Sequence, residues 1–282
     1  MFARTNMQIP FDQDILSETS AASRGEHEAR EGESGDLALS RAVLARYLAE
    51  LFSEPDDAWL VRVGSGETKC EVRRAAESLD LPLDNATAIA IPDIEDVLAE
   101  RNRLFGHTVR SACPPYELEY GRSEVFQQSQ SLADLAGFYS AFGFQSTGPL
   151  AERPDHLITE WEFLSVLALK ESIALNAGQT ESAQCCRDAQ RAFLTDHAAT
   201  WIPAFCSRLR AAQPAPFFLA VTSLAESLIV SWCSTLGVST GPAWLELRPV
   251  DEDDSTITCG ADGDIQRVEL GPTLAAALGA RS

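Results

Sequence analysis

The pattern of hydrophobic and polar positions predicts helices along most of the chain. Between residues 36 and 54, apolar side chains recur at the i, i+3, i+4, i+7 and i+8 spacing of one buried helical face. These positions are Leu44, Tyr47, Leu48, Leu51 and Phe52. Further helices are predicted over residues 67–79 and 93–105, and loops that contain Pro55, Pro82 and Pro92 separate the three segments.

The second half of the chain continues the helical pattern. Ser131 and Asp134 fit an S-x-x-D capping box, which predicts a helix over residues 132–142. Residues 156–177 are apolar on most of a helical surface, as expected for the central helix of a bundle, and Asp155 is predicted to be its N-cap. The remaining predicted helices cover residues 180–195, 197–212 and 217–236.

These segments define the fold class and the domain organisation. Because no stretch before about residue 240 alternates with the period of a strand, the fold class is predicted to be all-α. We expect a helical bundle of about eight to ten helices in two lobes joined by a hinge loop. The helical domain covers residues 36–240, with lobes at about 36–145 and 156–240. Residues 1–35 are predicted to be a disordered acidic arm, and residues 241–282 an acidic C-terminal tail.

The charge balance limits the class of partner. The chain carries 42 acidic and 22 basic residues, a net charge of −20, which repels phosphate backbones and attracts basic peptides. We therefore expect no nucleic acid partner. A second interpretation, in which the acidity only confers solubility or reflects a salty habitat, stays open.

Cysteine usage and hydropathy indicate a cytoplasmic protein. The seven cysteines are odd in number and include no C-x-x-C pair, which argues against a disulfide framework and a zinc ribbon. The first twenty residues lack the apolar core of a signal peptide. Residues 214–233 are apolar but contain Glu226 and several hydroxyl groups and open with two prolines, so a buried helix is predicted here and no membrane span.

The sequence offers no recognisable catalytic machinery. It contains no paired histidines at helical spacing, no nucleophile elbow and no phosphate-binding loop. The adjacent Cys185 and Cys186 point about 100° apart on a helix, which disfavours a shared metal ion. No base can be assigned to Cys113 as a nucleophile. We therefore expect no enzyme, no cofactor and no metal site.

The segment "CPPYELEYGRSEVFQQ" instead suggests a surface for binding. Pro114 and Pro115 fix the backbone and so lower the entropy cost of presenting their neighbours. The aromatic and acidic side chains that follow are Tyr116, Tyr120, Phe126, Glu117, Glu119 and Glu124. Together they complement a peptide in which arginines precede an apolar stretch. The alternative is that the aromatic side chains pack the loop onto the core.

The chain resembles a known family in four stretches: "RLFG", "CPPYELEYG", "VFQQSQSLADLAGFYSAFGF" and "ERPDHLITEWEFLSVLALKE". They are similar to the TorD/DmsD/NarJ family, the cytoplasmic chaperones that mature molybdenum-containing redox enzymes. The likeness covers residues 40–236 and is sharpest between Leu104 and Glu171. It implies an all-helical fold that holds the twin-arginine signal peptide of a catalytic subunit, or the subunit itself, and delays export until the molybdopterin cofactor is inserted.

The resemblance also implies site residues. It places Leu104, Phe105, Pro115, Tyr116 and Tyr120 in or near the peptide-binding pocket. It places Asp155 and His156 in the hinge motif, where His156 either titrates near neutrality or makes a structural hydrogen bond. The whole predicted client-binding set is Leu104, Phe105, Pro115, Tyr116, Glu117, Glu119, Tyr120, Phe126, Gln127, Asp155 and His156.

One departure from the family pattern is Arg101, which stands where the family often has tryptophan. The motif forms are most similar to the branch that accompanies enzymes of the dimethyl sulfide, ethylbenzene, selenate and chlorate type.

Three functions follow as hypotheses. The leading one is a chaperone for the catalytic subunit of a molybdopterin oxidoreductase. The second is a nucleotide- or small-molecule-binding helical protein with weak hydrolase activity. The third is a structural subunit that stays in the final enzyme complex. The chain is expected to be a monomer or a domain-swapped dimer.

Overall fold

The computed structural model describes residues 35–82, 89–106, 111–121, 125–145 and 153–248, with only the backbone at 125–127. Its α-helices are α1 (35–52), α2 (Trp59–Gly64), α3 (Gly66–Ser78), α4 (Ile94–Phe105), α5 (Val125–Ala141), α6 (Leu157–Asn176), α7 (Thr180–Phe193), α8 (Ala199–Ala211) and α9 (Pro216–Leu236). A 3-10 turn spans Glu117–Glu119 and a π-helical turn spans Leu194–Ala198.

The predicted all-α fold is confirmed. Within the described ranges, extended backbone pairs only at two isolated bridges, Tyr116 with His156 and Tyr120 with Leu247. The compact unit ends at Arg248. The division into two lobes stays a prediction, and most of its hinge loop lies outside the described residues. The acidic arm up to residue 34 and the tail from residue 249 lie outside them as well.

Helix α6 lies at the centre of the bundle, as its sequence predicts. Trp161, Phe163 and Leu164 are fully buried on it. The Phe163 ring contacts Tyr139 of α5 at 4.7 Å and Phe193 of α7 at 4.9 Å between centroids. A helix that is apolar around most of its circumference needs neighbours on all sides, and this packing supplies them.

A buried polar network joins α6 to three other helices. The Glu171 carboxylate accepts hydrogen bonds from Arg41 of α1 at 3.4 Å, from Arg187 of α7 at 2.7 Å and from Gln190 of α7 at 2.8 Å. The Gln190 carbonyl accepts from the indole of Trp232 on α9 at 3.0 Å. Because a buried charge is tolerated only when it is paired, these partners fix the register of α1, α6 and α7.

One helix prediction needs correction, and one helix was missed. The capping box at Ser131 and Asp134 is wrong, because α5 begins at Val125 and already includes both residues. The glutamines that precede Ser131 are good helix formers, and they extend the helix toward its N-terminus. The short helix α2 was not predicted. Its buried side chains, Trp59 and Val63, are too few to produce a recognisable period.

Helix α9 is long and apolar enough to cross a membrane, judged by length and composition alone. A core helix of a folded protein passes the same test. In this chain, 56% of the most apolar window of α9 is buried inside the unit, and Phe218, Leu224 and Trp232 belong to the core. Glu226 lies on its partly exposed side and pairs with Arg210 of α8.

Candidate functional site

The predicted binding loop forms a short segment across the ends of several helices; we call residues 113–121 the rim. The backbone amide of Cys113 donates to the carbonyl of Leu104 at 3.3 Å, which ties the rim to the end of α4. Cys113, Pro114 and Pro115 are buried. The chain is extended at Tyr116, turns through Glu117–Glu119 and is extended again at Tyr120.

The first half of the rim pairs with the segment just before α6, residues 153–157, which we call the hinge segment. The Leu157 amide donates to the carbonyl of Pro115 at 2.9 Å, and the Glu117 amide donates to the carbonyl of Asp155 at 2.9 Å. The ring of Tyr116 meets that of His156 edge to face, at 4.9 Å between centroids. Five predicted site residues are therefore brought together here.

Asp155 anchors the rim and does not cap α6, so its predicted role as N-cap is wrong. Its carboxylate is fully buried and accepts two hydrogen bonds from Arg153, at 2.9 and 2.7 Å. It also accepts from the Leu118 amide at 3.3 Å. The guanidinium of Arg153 lies over the Tyr116 ring, 4.6 Å from its centroid. Arg153 therefore contacts both the buried carboxylate of Asp155 and the half-buried ring of Tyr116.

His156 is the N-cap of α6. Its ring Nδ1 accepts a hydrogen bond from the Ile158 amide at 3.1 Å, which satisfies one of the free donors at the helix start. Burial, with smaller contributions from Arg101 and Arg153, lowers the pKa of His156 to about 3. The structure thus favours a structural hydrogen bond over titration near neutrality.

Two further acids lie beside the hinge segment. The carboxylate of Glu117 is 3.2 Å from His197 Nδ1, in the π-helical turn. Glu160 of α6 is fully buried and accepts from the indole of Trp201 at 3.0 Å. Burial, and then the nearby charge of Glu117, raise the pKa of Glu160 well above its usual value.

Glu119 lies between two arginines. It is buried, with one carboxylate oxygen 4.0 Å from Arg153 and the other 3.7 Å from Arg248. The negative charge that the sequence offers to a basic peptide is therefore already paired within the chain at this position. Glu117 is the partly exposed acid of the described rim.

Three further predicted side chains are buried and form a floor beneath the rim: Leu104, Phe105 and Tyr120. Tyr120 is buried against Trp201, at 5.2 Å between ring centroids. Phe105 stacks on Phe205 at 6.2 Å, and Leu104 is fully buried. For Tyr120 this arrangement agrees with the alternative in which the aromatic residue packs the loop onto the core. Burial raises the pKa of Tyr120 well above its usual value.

Arg101 also belongs to this floor, although the family often has tryptophan there. Its guanidinium lies 5.9 Å from the centroid of Phe105 and its Nε donates to the carbonyl of Phe52 at 3.4 Å. A guanidinium this close to a ring makes a cation–π contact. Phe126 and Gln127 cannot be placed, because their side chains lie outside the described residues, as does Glu124.

The second half of the rim is covered by residues 241–248, which we call the strap. The Gly121 amide donates to the carbonyl of Glu246 at 2.8 Å, and the Arg248 amide donates to the carbonyl of Glu119 at 3.0 Å. Arg208 of α8 donates to the carbonyl of Leu245 at 2.9 Å. The strap thus pairs with the rim at one isolated antiparallel bridge, between Tyr120 and Leu247.

The described cavities lie away from the rim. One of about 440 Å³ opens between α1, α3 and α6, with Leu39, Val43 and Leu169 among its lining residues. Another, of about 520 Å³, lies between α4 and the start of α9. Neither includes a residue of the predicted site.

The cysteine, histidine and acidic side chains were candidates for a metal site. No group of three histidine, cysteine or acidic side chains is arranged to hold a metal ion among the residues that the structure describes. Cys185 is exposed and Cys186 is buried, so the adjacent pair does not face one site. Burial raises the pKa of Cys113 to about 11, which keeps the thiol protonated.

Four residues of the site were not predicted: Arg153, Glu160, His197 and Arg248. Arg153 lies inside the E-R-P-D-H stretch, two residues before an acid, and this spacing was a usable signal. His197 and Arg248 contact the site across sequence separations that periodicity does not report, and the burial of Glu160 depends on the likewise distant Trp201. Glu117 and His197, for example, are 80 residues apart.

Comparison with known proteins gives a consistent result. The family model described as nitrate reductase delta subunit matches residues 69–207. The chain is 39% identical over 95 residues to the chlorate reductase assembly chaperone protein of Ideonella dechloratans, covering 34% of this chain and 45% of that protein. It is 43% identical over 84 residues to the selenate reductase assembly chaperone protein of Thauera selenatis, covering 30% and 42%.

A more distant relative extends the match. The chaperone protein TorD of Photobacterium profundum is 25% identical over 130 residues, which cover 46% of this chain and 57% of that protein. The chain thus spans about half the length of the curated relatives it matches. Both the rim and the hinge segment fall inside the matched family region, whereas the strap lies beyond it.

Proposed function

We propose, because the chain belongs to the TorD/DmsD/NarJ family, that it is a cytoplasmic, non-catalytic chaperone for the catalytic subunit of a molybdopterin oxidoreductase. It binds the twin-arginine signal peptide of that subunit, or the apo-subunit itself. It assists insertion of the cofactor and delays export until insertion is complete. The names of the relatives, assembly chaperones of chlorate and selenate reductases, support a reductase as the client. They favour this function over nucleotide or small-molecule binding.

The observation that carries the proposal is the pairing of rim and hinge segment around Tyr116. The ring is half-buried and is held on one side by His156 and on another by Arg153. A ring fixed in this way loses little conformational entropy when a partner binds it. Tyr116 and Leu118 therefore supply apolar contact for the signal peptide, and Glu117 supplies charge for its arginines.

The overall charge supports association with a basic peptide. A net charge of −20 steers a positively charged segment toward the chain from a distance. Because salt screens this attraction, the association rate, and with it the affinity, falls as ionic strength rises.

The test is calorimetry with the signal peptide of a molybdopterin oxidoreductase from the same organism. The peptide is used as it stands and with its two arginines replaced by glutamine, and the cofactor-free subunit is the second ligand. We expect binding of the native peptide that weakens when the arginines are lost. Tyr116→Ala should weaken binding about tenfold, as for a central aromatic contact.

The control variant is Val61→Ala on α2, because Val61 is 70% exposed and lies outside the rim. It should leave the affinity unchanged. Absence of binding to both the peptide and the apo-subunit contradicts the proposal. Recovery of the chain in stoichiometric amount with the mature enzyme would instead indicate a structural subunit, and the elution volume of the chain alone distinguishes a monomer from a domain-swapped dimer.

A further inference from the structure

The strap lies on the second half of the rim, directly after residues 116–118, which the proposed function uses. Residues 119–121 of the rim form a backbone edge, and the strap pairs with this edge on both sides of the Tyr120–Leu247 bridge. An exposed backbone edge of this kind is where an extended peptide adds to a protein as an extra strand. In the structure, the chain's own residues fill that place.

The side chains of the strap alternate as they do in an added strand. Leu245 and Leu247 are partly buried against the core, whereas Trp244 and Glu246 are exposed. The ring of Trp244 lies under the guanidinium of Arg208, 4.4 Å from the centroid. The strap therefore has the form of a peptide with apolar residues at every second position.

The strap places an arginine beside a rim acid, as a client signal peptide is expected to do. Arg248 approaches Glu119 at 3.7 Å, and its amide pairs with the carbonyl of the same residue. Glu119 is one of the acids that the sequence predicts to meet the arginines of a client. A client arginine can take this place at Glu119 only after Arg248 has left it.

We propose that the strap is an intramolecular competitor of the client. It occupies the edge at residues 119–121 and is displaced when an extended basic peptide adds there. This inference rests on the proposed function, because it assumes that a client peptide binds the rim. It adds that the bound peptide is extended at this edge, with apolar residues at alternate positions and an arginine beside Glu119. It also makes the strap a competitor that sets the apparent affinity.

Amide hydrogen exchange distinguishes displacement from a fixed strap. In the free chain, the amides of Gly121 and Arg248 are both hydrogen-bonded across the edge, so both should be protected. On saturation with the native signal peptide used in the calorimetry, we expect the Arg248 amide to lose protection. The Gly121 amide should keep it, because the peptide replaces the strap as acceptor.

A single substitution loosens the strap without touching the rim. A Cβ at Gly241 would lie 2.3 Å from the backbone oxygen of Thr200, so Gly241→Ala forces the strap to move. The matched control is Gly66→Ala in α3, where a Cβ meets no atom within 4 Å. If the strap competes, the Gly241→Ala chain should bind the peptide about tenfold more tightly, whereas the control should match the wild type.

The outcomes separate the two proposals. If the peptide binds while the Arg248 amide stays protected, or if the Gly241→Ala chain exchanges faster at Arg248 without binding more tightly, the strap is not a competitor. The proposed function then stands alone. If neither the peptide nor the apo-subunit binds, the proposed function fails, and this inference fails with it.

Discussion

Although Arg153 and Asp155 form one ion pair, replacing Arg153 should lower the free energy of unfolding more than replacing Asp155. The Asp155 side chain is fully buried, whereas that of Arg153 is 35% exposed. Arg153→Met leaves a buried carboxylate with the Leu118 amide as a remaining donor, and loss of one partner of a buried pair costs about 3–5 kcal/mol. Asp155→Asn leaves a guanidinium that water can reach, at a cost of about 1–2 kcal/mol.

Urea denaturation followed by circular dichroism measures these costs, provided that the slope of each transition is unchanged. The double variant should cost about 2 kcal/mol less than the sum of the single variants, because removing the second partner also removes the unpaired charge. Arg46→Met is the control: its pairs with Glu50 and Glu162 lie at the surface, with Arg46 56% exposed, and are worth less than about 1 kcal/mol.

A larger loss of stability for Asp155→Asn than for Arg153→Met would contradict this prediction. So would additive costs in the double variant. Either result would mean that the buried carboxylate is stabilised by groups other than Arg153. The rim would then not depend on this pair for its position.

The remaining predictions concern titration and buried hydroxyl groups. His156→Asn keeps a side-chain cap on α6 but removes the titrating ring. Because the pKa of His156 is lowered in the folded chain, the unfolded chain binds a proton first as the pH falls. The wild type should therefore lose unfolding free energy relative to the variant between about pH 6.5 and about pH 3, by up to about 1.4 kcal/mol per pH unit. Glu160→Gln acts in the opposite direction: its raised pKa means that the wild type loses stability relative to the variant as the pH rises above about 4.5, and parallel pH profiles would contradict both predictions. Tyr120→Phe should lower the free energy of unfolding by less than about 0.5 kcal/mol, because the buried hydroxyl of Tyr120 has no hydrogen-bond partner in the described structure. Tyr139→Phe should lower it by about 1 kcal/mol, because it removes the 2.6 Å hydrogen bond to the carbonyl of Pro154. Equal losses in thermal unfolding would contradict this difference.

Much of the fold could be predicted because the chain's helices carry strong amphipathic or fully apolar patterns. The periodic face of α1 is buried, and α6 is central, as its sequence indicates. The errors occurred at helix ends, where local signals compete. Ser131 and Asp134 satisfy a capping pattern but lie within α5, and His156 caps α6 in place of Asp155.

The site could be predicted only in part, since a motif locates residues along the chain but does not report which of them face solvent. Pro115, Tyr116 and the hinge segment come together in the structure, and their role in binding a client stays a prediction. Tyr120 lies instead in the floor, because Trp201 and Phe205 of α8 pack beneath it. Contacts made by Arg248 depend on chain segments that are distant in sequence, and no local pattern indicates them.

A role in cofactor insertion is tested by the molybdenum content of the client subunit, purified from cells with and without this chain. We expect the subunit to be largely free of molybdenum in cells that lack the chain, and fully occupied when the wild-type chain is restored. A subunit that carries the same molybdenum content with and without the chain would contradict this role.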